Sequence, residues 1–147
     1  MSVELVDPQR TRSLRRRVLR PHLTLYDPLP GDDQPDAVHI AALDDWVVVG
    51  TCFVFPEPCP WRPGDEPAWH LRQMATAPER QGEGIGGAVL RFAADYVRAA
   101  GGVLLWANTR QTAEGFYAVH GWLAYGETFT DEEHTIPHRR MFLPIRE

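Results

Sequence analysis

The chain has 147 residues, of which 44% are apolar and 24% are charged, and its formal net charge is −5. This length and composition predict one soluble domain, residues 1–147, and exclude a disordered, collagen-like or disulfide-scaffold chain. No apolar run approaches the roughly 18–20 residues of a membrane-spanning helix, so we expect no membrane partner. The acidic net charge argues against a nucleic-acid partner attracted by total charge.

The two cysteines, Cys52 and Cys59, fit neither a CxxC redox pair nor a zinc-binding pattern, so no metal site is predicted. Cys52 lies in an apolar run and is predicted to be buried, whereas Cys59 lies in a Pro-rich loop where it could be exposed. Two free thiols are typical of a reducing compartment. Arginines rather than an apolar segment dominate residues 10–20, which argues against a signal peptide. We therefore expect a cytoplasmic protein.

The first half of the chain predicts a strand, a helix and a hairpin. Asp7 is suited to cap the helix, Pro8 to begin it, and Pro21 to end it. The predicted elements are a strand at 2–6, a helix from Pro8 to about Arg20, a mostly irregular segment at 21–37, and strands at 38–43 and 46–55 joined by an Asp44–Asp45 turn.

The second half alternates strands with two further helices. The predicted elements are an irregular segment at 56–67, a strand at 68–76, a Gly-rich turn at 82–87, a helix from Ile85 that ends at Gly101, a strand at 103–107, a helix at 112–120, and strands at 122–129 and 138–145 joined by an acidic loop. The resulting order, β-α-ββ-β-α-β-α-β-β, predicts an α/β or α+β fold with a mixed central sheet. No repeat and no second domain are expected.

The strongest motif is the Gly-rich turn before the second helix. Gly82, Gly84 and Gly86 occupy alternate positions and let the backbone approach a ligand closely. The helix that follows adds its free amide groups and the positive end of its dipole. Together these features predict an anion site suited to a phosphate or diphosphate, with a tight turn that binds no ligand as the alternative.

Two common nucleotide motifs fit this turn poorly. Gly82, Gly84 and Gly87 match the G-x-G-x-x-G dinucleotide pattern, but residues 78–80 separate them from the strand and no acidic residue follows at 104–108. A P-loop is excluded because no Gly-Lys-Ser/Thr is present. An oxidoreductase that binds NAD(P) therefore remains only as an alternative hypothesis.

The same segment resembles the central motif of the GNAT acetyltransferases. That motif, R/Q-x-x-G-x-G/A at the start of a helix after the fourth strand, is matched by Gln81, Gly84 and Gly86. A second family motif is matched downstream, in order and at the right separation, by Asn108, Ala113, Phe116-Tyr117 and Gly121-Trp122. The resemblance covers about residues 38–129 and lies near the ElaA-type branch. It implies the GNAT fold, with about six or seven strands and about three or four helices.

The resemblance also implies an N-acetyltransferase with acetyl-CoA as co-substrate and an amine, either a small molecule or a peptide N-terminus, as acceptor. In the family the fourth strand diverges from the fifth and pairs with pantetheine. By position, the Met74 N–H would then donate to the thioester oxygen and stabilise the tetrahedral oxyanion. The implied cofactor-binding residues are Met74, Ala75, Thr76, Gln81, Gly82, Glu83, Gly84, Ile85, Gly86, Gly87, Asn108 and Phe116.

Further roles follow from positions in the family motifs. Tyr117 stands where family members carry a general acid for the departing thiolate, with a packed helix aromatic as the alternative. The general base stays open among solvent and the side chains of His39, Glu127, Glu133 and His138. Arg72 is a candidate for binding an acceptor carboxylate, and the acidic loop that contains Glu133 a candidate for attracting a cationic amine.

Arginine side chains on the first helix predict a basic face formed by Arg15, Arg16, Arg17 and Arg20. This face is either solvated, or recruits an anionic acceptor, or contacts the cofactor's phosphates. The acceptor and the oligomeric state, monomer or homodimer, stay open. A CoA-binding sensor module without turnover is the alternative to an enzyme.

Overall fold

Strands and helices alternate along the chain in the computed structural model, which describes residues 1–21, 29 and 32–145. Most of the predicted irregular segment at 21–37 lies outside the described residues. The elements are β1 (Ser2–Val6), α1 (Arg12–Leu19), β2 (Val38–Asp44), β3 (Val47–Pro56), β4 (Ala68–Thr76), α2 (Ile85–Ala99), β5 (Leu104–Arg110), α3 (Glu114–Val119), β6 (Leu123–Phe129) and β7 (His138–Pro144).

The seven strands within the described residues form one mixed sheet, in the order β1-β2-β3-β4-β5-β7-β6. β1, β2 and β3 pair antiparallel, and so do β5, β7 and β6. β4 and β5 pair in parallel, and their ladder joins Ala68, Trp69 and His70 to Leu104, Leu105 and Trp106. The predicted α/β or α+β class with a mixed central sheet is confirmed.

The chain divides into two compact units, the first formed by Met1–Phe55 and Leu71–Asp95, the second by Pro56–His70 and Tyr96–Glu147. In the first unit, α2 packs directly against β3 at Gly50. A Cβ at that glycine would lie 2.7 Å from Ile85 Cγ2 and 3.4 Å from Val89 Cγ2. Both of these helix side chains are buried. The beginning of α2 is therefore fixed on the sheet by close packing.

The β2–β3 hairpin turns one residue later than the sequence predicted. Asp45 and Trp46 both have positive φ, at 52° and 71°. Two such residues in succession form the two-residue hairpin turn whose twist matches that of the flanking strands. Trp46 is a typical strand residue by type, so its place in the turn could not be predicted from composition. The predicted Asp44–Asp45 turn is corrected accordingly.

The first helix differs from its prediction at both its start and its charged face. Its first turn, Pro8–Thr11, is a 3₁₀ helix capped by Asp7, and α1 itself begins at Arg12. Arg15 and Arg16 are buried, so the solvated basic face is wrong for these two residues. Arg17 is exposed as predicted. Charge patterning placed the arginines together but could not show which of them meet buried acceptors.

The core of the second unit contains a cysteine that the sequence placed in a Pro-rich loop where it could be exposed. Cys59 is 1% exposed, and burial raises the pKa of its thiol. The side chains around it are those of Ala68, Leu104, Trp106, Phe142 and Trp61. The Trp61 ring lies edge-on to Trp106 at 5.1 Å between centroids, so this tryptophan packs on the sheet. Irregular backbone with four nearby prolines concealed this burial from sequence reasoning.

β5 and α3 also differ from their predicted bounds. β5 continues to Arg110, so Asn108 lies within the strand rather than after it. A 3₁₀ turn at Gln111–Ala113 precedes α3, which is shorter than the predicted helix at 112–120.

No helix among the described residues has the length and apolar character needed to cross a membrane.

We predict that Gly50→Ala lowers the stability of the fold. The added methyl would overlap Ile85, and such overpacking costs about 1–3 kcal/mol of unfolding free energy. Urea denaturation followed by circular dichroism measures this loss. Gly64→Ala is the matched control, because a Cβ there meets no atom within 4 Å. Equal stability of the two variants would contradict the packing described for α2.

Candidate functional site

The Gly-rich turn connects β4 to α2 within the first unit. β4 ends at Thr76, and the Ala77 N–H donates to the Val49 carbonyl oxygen at 2.9 Å, which anchors the start of the connection to β3. The first helical hydrogen bond runs from the Ala88 N–H to the Gly84 carbonyl at 3.1 Å. The amides of residues 85–87 consequently have no acceptor within the helix. They form the free amide end that the sequence predicted.

Two glycines give the turn its shape. Gly82 and Gly84 have φ of 86° and 82°, in the left-handed region that side chains with a Cβ adopt at a cost. A Cβ at either position would meet no atom within 4 Å among the described residues. Glycine is therefore needed here for its backbone conformation rather than for lack of room. The space that a Cβ would enter is open at both positions.

The charges at the rim of the turn are paired. Arg80 contacts Glu83 at 3.0 Å and Asp44 at 2.9 Å, and these hydrogen bonds raise the pKa of the arginine. Glu79 pairs with Arg17 at 3.2 Å. Asp44 shares Arg80 with Glu83, the only carboxylate within residues 81–87, so this pairing offsets the charge of Glu83 only in part. Without this pair, that carboxylate would repel a phosphate more strongly.

β4 carries an irregularity that the sequence did not predict. Gln73 has a φ of 54°, whereas the other described non-glycine residues with positive φ lie in turns or loops. A left-handed residue inside an otherwise extended strand changes the direction of the following amide, which here belongs to Met74. Met74 and Thr76 are half-buried and Ala75 is buried. Gln73 is not a residue type that favours this conformation, so composition gave no signal.

Phe116 and Tyr117, two aromatic residues of the second motif, lie on α3 in the second unit. Tyr117 is 4% exposed, and its ring packs edge-on against Trp122 at 5.0 Å and against Phe116 at 5.3 Å. Its position is thus fixed by aromatic packing on two sides. Asn108 lies on β5, paired with Arg140 of β7.

His138, at the beginning of β7, has a defined ring orientation. Its Nδ1 lies 2.7 Å from the Ile136 carbonyl oxygen, which requires the proton on Nδ1 and leaves the Nε2 lone pair as an acceptor. Burial lowers the pKa of this histidine, and the charges of His134 and Arg110 act in the same direction. The ring is therefore neutral at pH 7 and able to accept a proton at Nε2.

His39 lies on β2 in the first unit and is buried. Its ring stacks on Phe53 at 4.9 Å, and neither ring nitrogen has a hydrogen-bond partner among the described residues. Burial, together with the charge of Arg15, lowers the pKa of His39 to about 4. The imidazole is neutral at pH 7, but protonation of the buried ring is unfavourable.

The remaining predicted site residues lie in different elements. Arg72 is half-buried on β4, whereas Glu127 on β6 and Glu133 in the loop before β7 are exposed. Arg72 belongs to the first unit and both glutamates to the second. No group of three or more His, Cys, Asp or Glu side chains suited to a metal ion occurs within the described residues.

Sequence reasoning missed a polar cluster in the second unit. His70 Nδ1 lies 2.9 Å from a carboxylate oxygen of Glu57, and the His70 ring stacks on Trp106 at 3.7 Å. The Trp106 indole N–H donates to the Glu57 carbonyl at 2.9 Å. These contacts attach the irregular segment at 56–67 to β4 and β5. The only signal was a histidine within a strand, and the path of the Pro-rich segment could not be predicted.

Comparison with known proteins identifies relatives across most of the chain. A family model described as the acetyltransferase (GNAT) family matches residues 7–122. The chain is 25% identical over 130 residues to YitI, an uncharacterized N-acetyltransferase of Bacillus subtilis (strain 168). This alignment covers 88% of the chain and 87% of the relative.

Solved structures share the fold at low sequence identity. An aminoglycoside 6'-N-acetyltransferase complexed with coenzyme A matches with a TM-score of 0.78 and 15% identity, covering 100% of this chain and 98% of that one. Escherichia coli ElaA matches with a TM-score of 0.73 and 14% identity, covering 96% and 97%. Together with the family model, which spans both predicted motifs, these matches confirm the resemblance: the chain belongs to the GNAT family of acetyltransferases.

Proposed function

We propose that the protein transfers the acetyl group of acetyl-CoA directly to an amine, either of a small molecule or of a peptide N-terminus. The observation that carries this proposal is the open turn with its free amides at residues 85–87, in a chain of the acetyltransferase family. Direct transfer needs both substrates bound together, and much of the rate enhancement then comes from their proximity.

The diphosphate of the co-substrate binds at residues 81–87 in this proposal. The first amides of α2 and the positive end of its dipole attract a negative charge. Gly82 and Gly84 give the turn its left-handed backbone conformation, and the space beside both residues is open. The pairing of Arg80 with Glu83 supports the same role, because it weakens the repulsion that the Glu83 carboxylate would exert on a phosphate. Asn108 and Phe116 are assigned to the cofactor by their motif positions alone.

The backbone of β4 activates the thioester. We assign to the Met74 N–H the role of hydrogen-bond donor to the thioester oxygen, with Ala75 and Thr76 as neighbouring backbone contacts. The amine nitrogen attacks the carbonyl carbon, and negative charge develops on that oxygen before the C–S bond breaks. An amide aimed at the developing charge lowers the barrier, and the loss of one such donor typically costs about 10²–10³ in kcat.

Two proton transfers complete the reaction. Tyr117 donates its phenolic proton to the departing thiolate, a role supported by its motif position and by the packing that fixes its ring. His138 accepts the proton of the attacking amine at Nε2, a role supported by its neutral ring and by the Ile136 carbonyl that holds the other nitrogen. His39 is the less suitable base, because its pKa is about 4.

Three charged side chains are assigned to contacts with the amine acceptor, namely those of Arg72, Glu127 and Glu133. The second candidate function, a CoA-binding sensor module, predicts binding without turnover. Release of thiol from acetyl-CoA, measured across a panel of amines, separates the two: turnover with any amine supports the enzyme, and binding without turnover across a broad panel supports the sensor.

We predict that Gly84→Glu weakens CoA binding at least about 100-fold, as measured by calorimetry. The side chain would enter the open space at the turn and bring a charge of the same sign as the diphosphate. Gly101→Glu is the matched control, since Gly101 also has a positive φ of 86° with no atom within 4 Å of a Cβ. CoA affinity equal to the wild type in Gly84→Glu would rule out the assigned turn.

We predict that Tyr117→Phe lowers kcat by about 10²-fold while the Kd for CoA changes little, because only the proton donor is removed. Steady-state kinetics and calorimetry measure the two quantities. Tyr96→Phe, another aromatic substitution in the second unit, serves as control and should leave kcat unchanged. If Tyr117→Phe keeps the wild-type kcat across the pH range, the tyrosine is a packing residue.

We predict that kcat/KM for the acceptor falls as the pH decreases below about 6.5, the ordinary histidine value. The pKa of His138 lies below that value, so its ring is neutral above it and becomes protonated as the pH falls through the lowered pKa. A protonated Nε2 cannot accept the amine's proton. His138→Gln should lower kcat/KM and abolish this acidic limb in a pH–rate profile. An unchanged limb would exclude His138 as the base.

A further inference from the structure

A buried arginine of α1 is hydrogen-bonded to Gln73, the left-handed residue of β4. Arg15 is 1% exposed, and its Nη1 donates to the Gln73 side-chain oxygen at 3.0 Å. Gln73 is the residue whose φ is 54° in the middle of the strand. The contact joins residues 58 positions apart in sequence, both within the first unit.

The guanidinium of Arg15 is held on its other sides as well. Its Nε donates to Thr11 Oγ1 at 2.9 Å, and its Nη2 donates to the Pro8 carbonyl at 3.3 Å and forms an ion pair with Asp32. Burial by itself would raise the pKa of Asp32, but hydrogen bonds from Arg15 and Arg12 outweigh it and lower the pKa. A planar, multiply bonded guanidinium fixes the position of each of its acceptors, including Gln73.

The conformation of Gln73 needs such support. A non-glycine residue in the left-handed region costs about 1–2 kcal/mol and persists only when its surroundings impose it. The residue that follows is Met74, whose amide the proposed function places on the thioester oxygen. A change at Gln73 would redirect that amide, and a displacement of about 1 Å at a reacting centre can cost about 10²-fold in rate.

We propose that Arg15 is a positioning residue, which holds Gln73 in its left-handed conformation through Nη1 and thereby aims the Met74 amide at the thioester oxygen of the co-substrate. The inference rests on the proposed function. It adds to that function a residue of α1, which acts on the Met74 amide through Gln73. Arg15 itself contacts neither the co-substrate nor the acceptor in this proposal.

Three substitutions at Gln73 separate positioning from a merely structural role. Gln73→Met keeps the length of the side chain but removes the acceptor for Arg15, and we expect kcat to fall at least tenfold with the Kd for CoA unchanged. Gln73→Glu retains an acceptor oxygen and should keep kcat near the wild-type value. Gln73→Gly adopts positive φ without help, so it should keep kcat within about threefold although the contact with Arg15 is lost.

A spectroscopic readout distinguishes failure of this inference from failure of the proposed function. In ¹⁵N-labelled protein, acetyl-CoA should shift the Met74 amide resonance beyond the shift caused by CoA, and Gln73→Met should abolish this difference. If the wild type shows no such difference, the proposed role of the amide fails, and the inference fails with it. If the wild type shows it and Gln73→Met retains both the difference and the wild-type kcat, only the role of Arg15 is overturned.

Discussion

The backbone between β4 and α2 must turn through the left-handed region twice, and the proposed anion site depends on this constraint. Gly82 and Gly84 adopt those conformations, and a side chain at either position would be strained even though space is available. Because the helix begins directly after this turn, its first amides stay free of partners within the helix. Close packing of Ile85 on Gly50 keeps that end of the helix in place, so the backbone of the proposed anion site is held by the fold.

A second constraint acts on β4, and there a charged residue enforces the conformation. A buried guanidinium is stable only when acceptors surround it, and Arg15 has four: Thr11, Pro8, Asp32 and Gln73. Pro8 and Thr11 lie in the 3₁₀ turn before α1, and Asp32 lies in the segment after α1. The fourth acceptor, Gln73, connects the arginine to β4. The buried guanidinium of Arg15 thus supports the irregular part of β4 through a hydrogen bond to Gln73. An apolar side chain at this position could not form such a directed contact.

The sequence predicted the regular parts of this molecule because their signals are local. Glycines at alternate positions before an amphipathic helix, and strands bounded by turn residues, identified the turn at 82–87 and the mixed sheet. The features that the sequence did not reveal depend on long-range contacts. In the sequence, Arg15 cannot be told from a surface arginine, because its acceptors Gln73 and Asp32 are distant along the chain. The burial of Cys59 depends on side chains of the sheet. The Glu57–His70–Trp106 cluster joins residues from three segments. The turn of the β2–β3 hairpin was placed one residue too early for a related reason. The twist of the hairpin, rather than the residue type, determines the conformation of Trp46.

Binding of the diphosphate at the turn is tested by comparing CoA with pantetheine, which lacks the diphosphate, in ¹⁵N–¹H correlation spectra of the labelled protein. Such binding predicts that CoA shifts the amide resonances of Ile85, Gly86 and Gly87 strongly and that pantetheine, at saturating concentration, leaves them in place. Saturable CoA binding that leaves these three amides unshifted would contradict it.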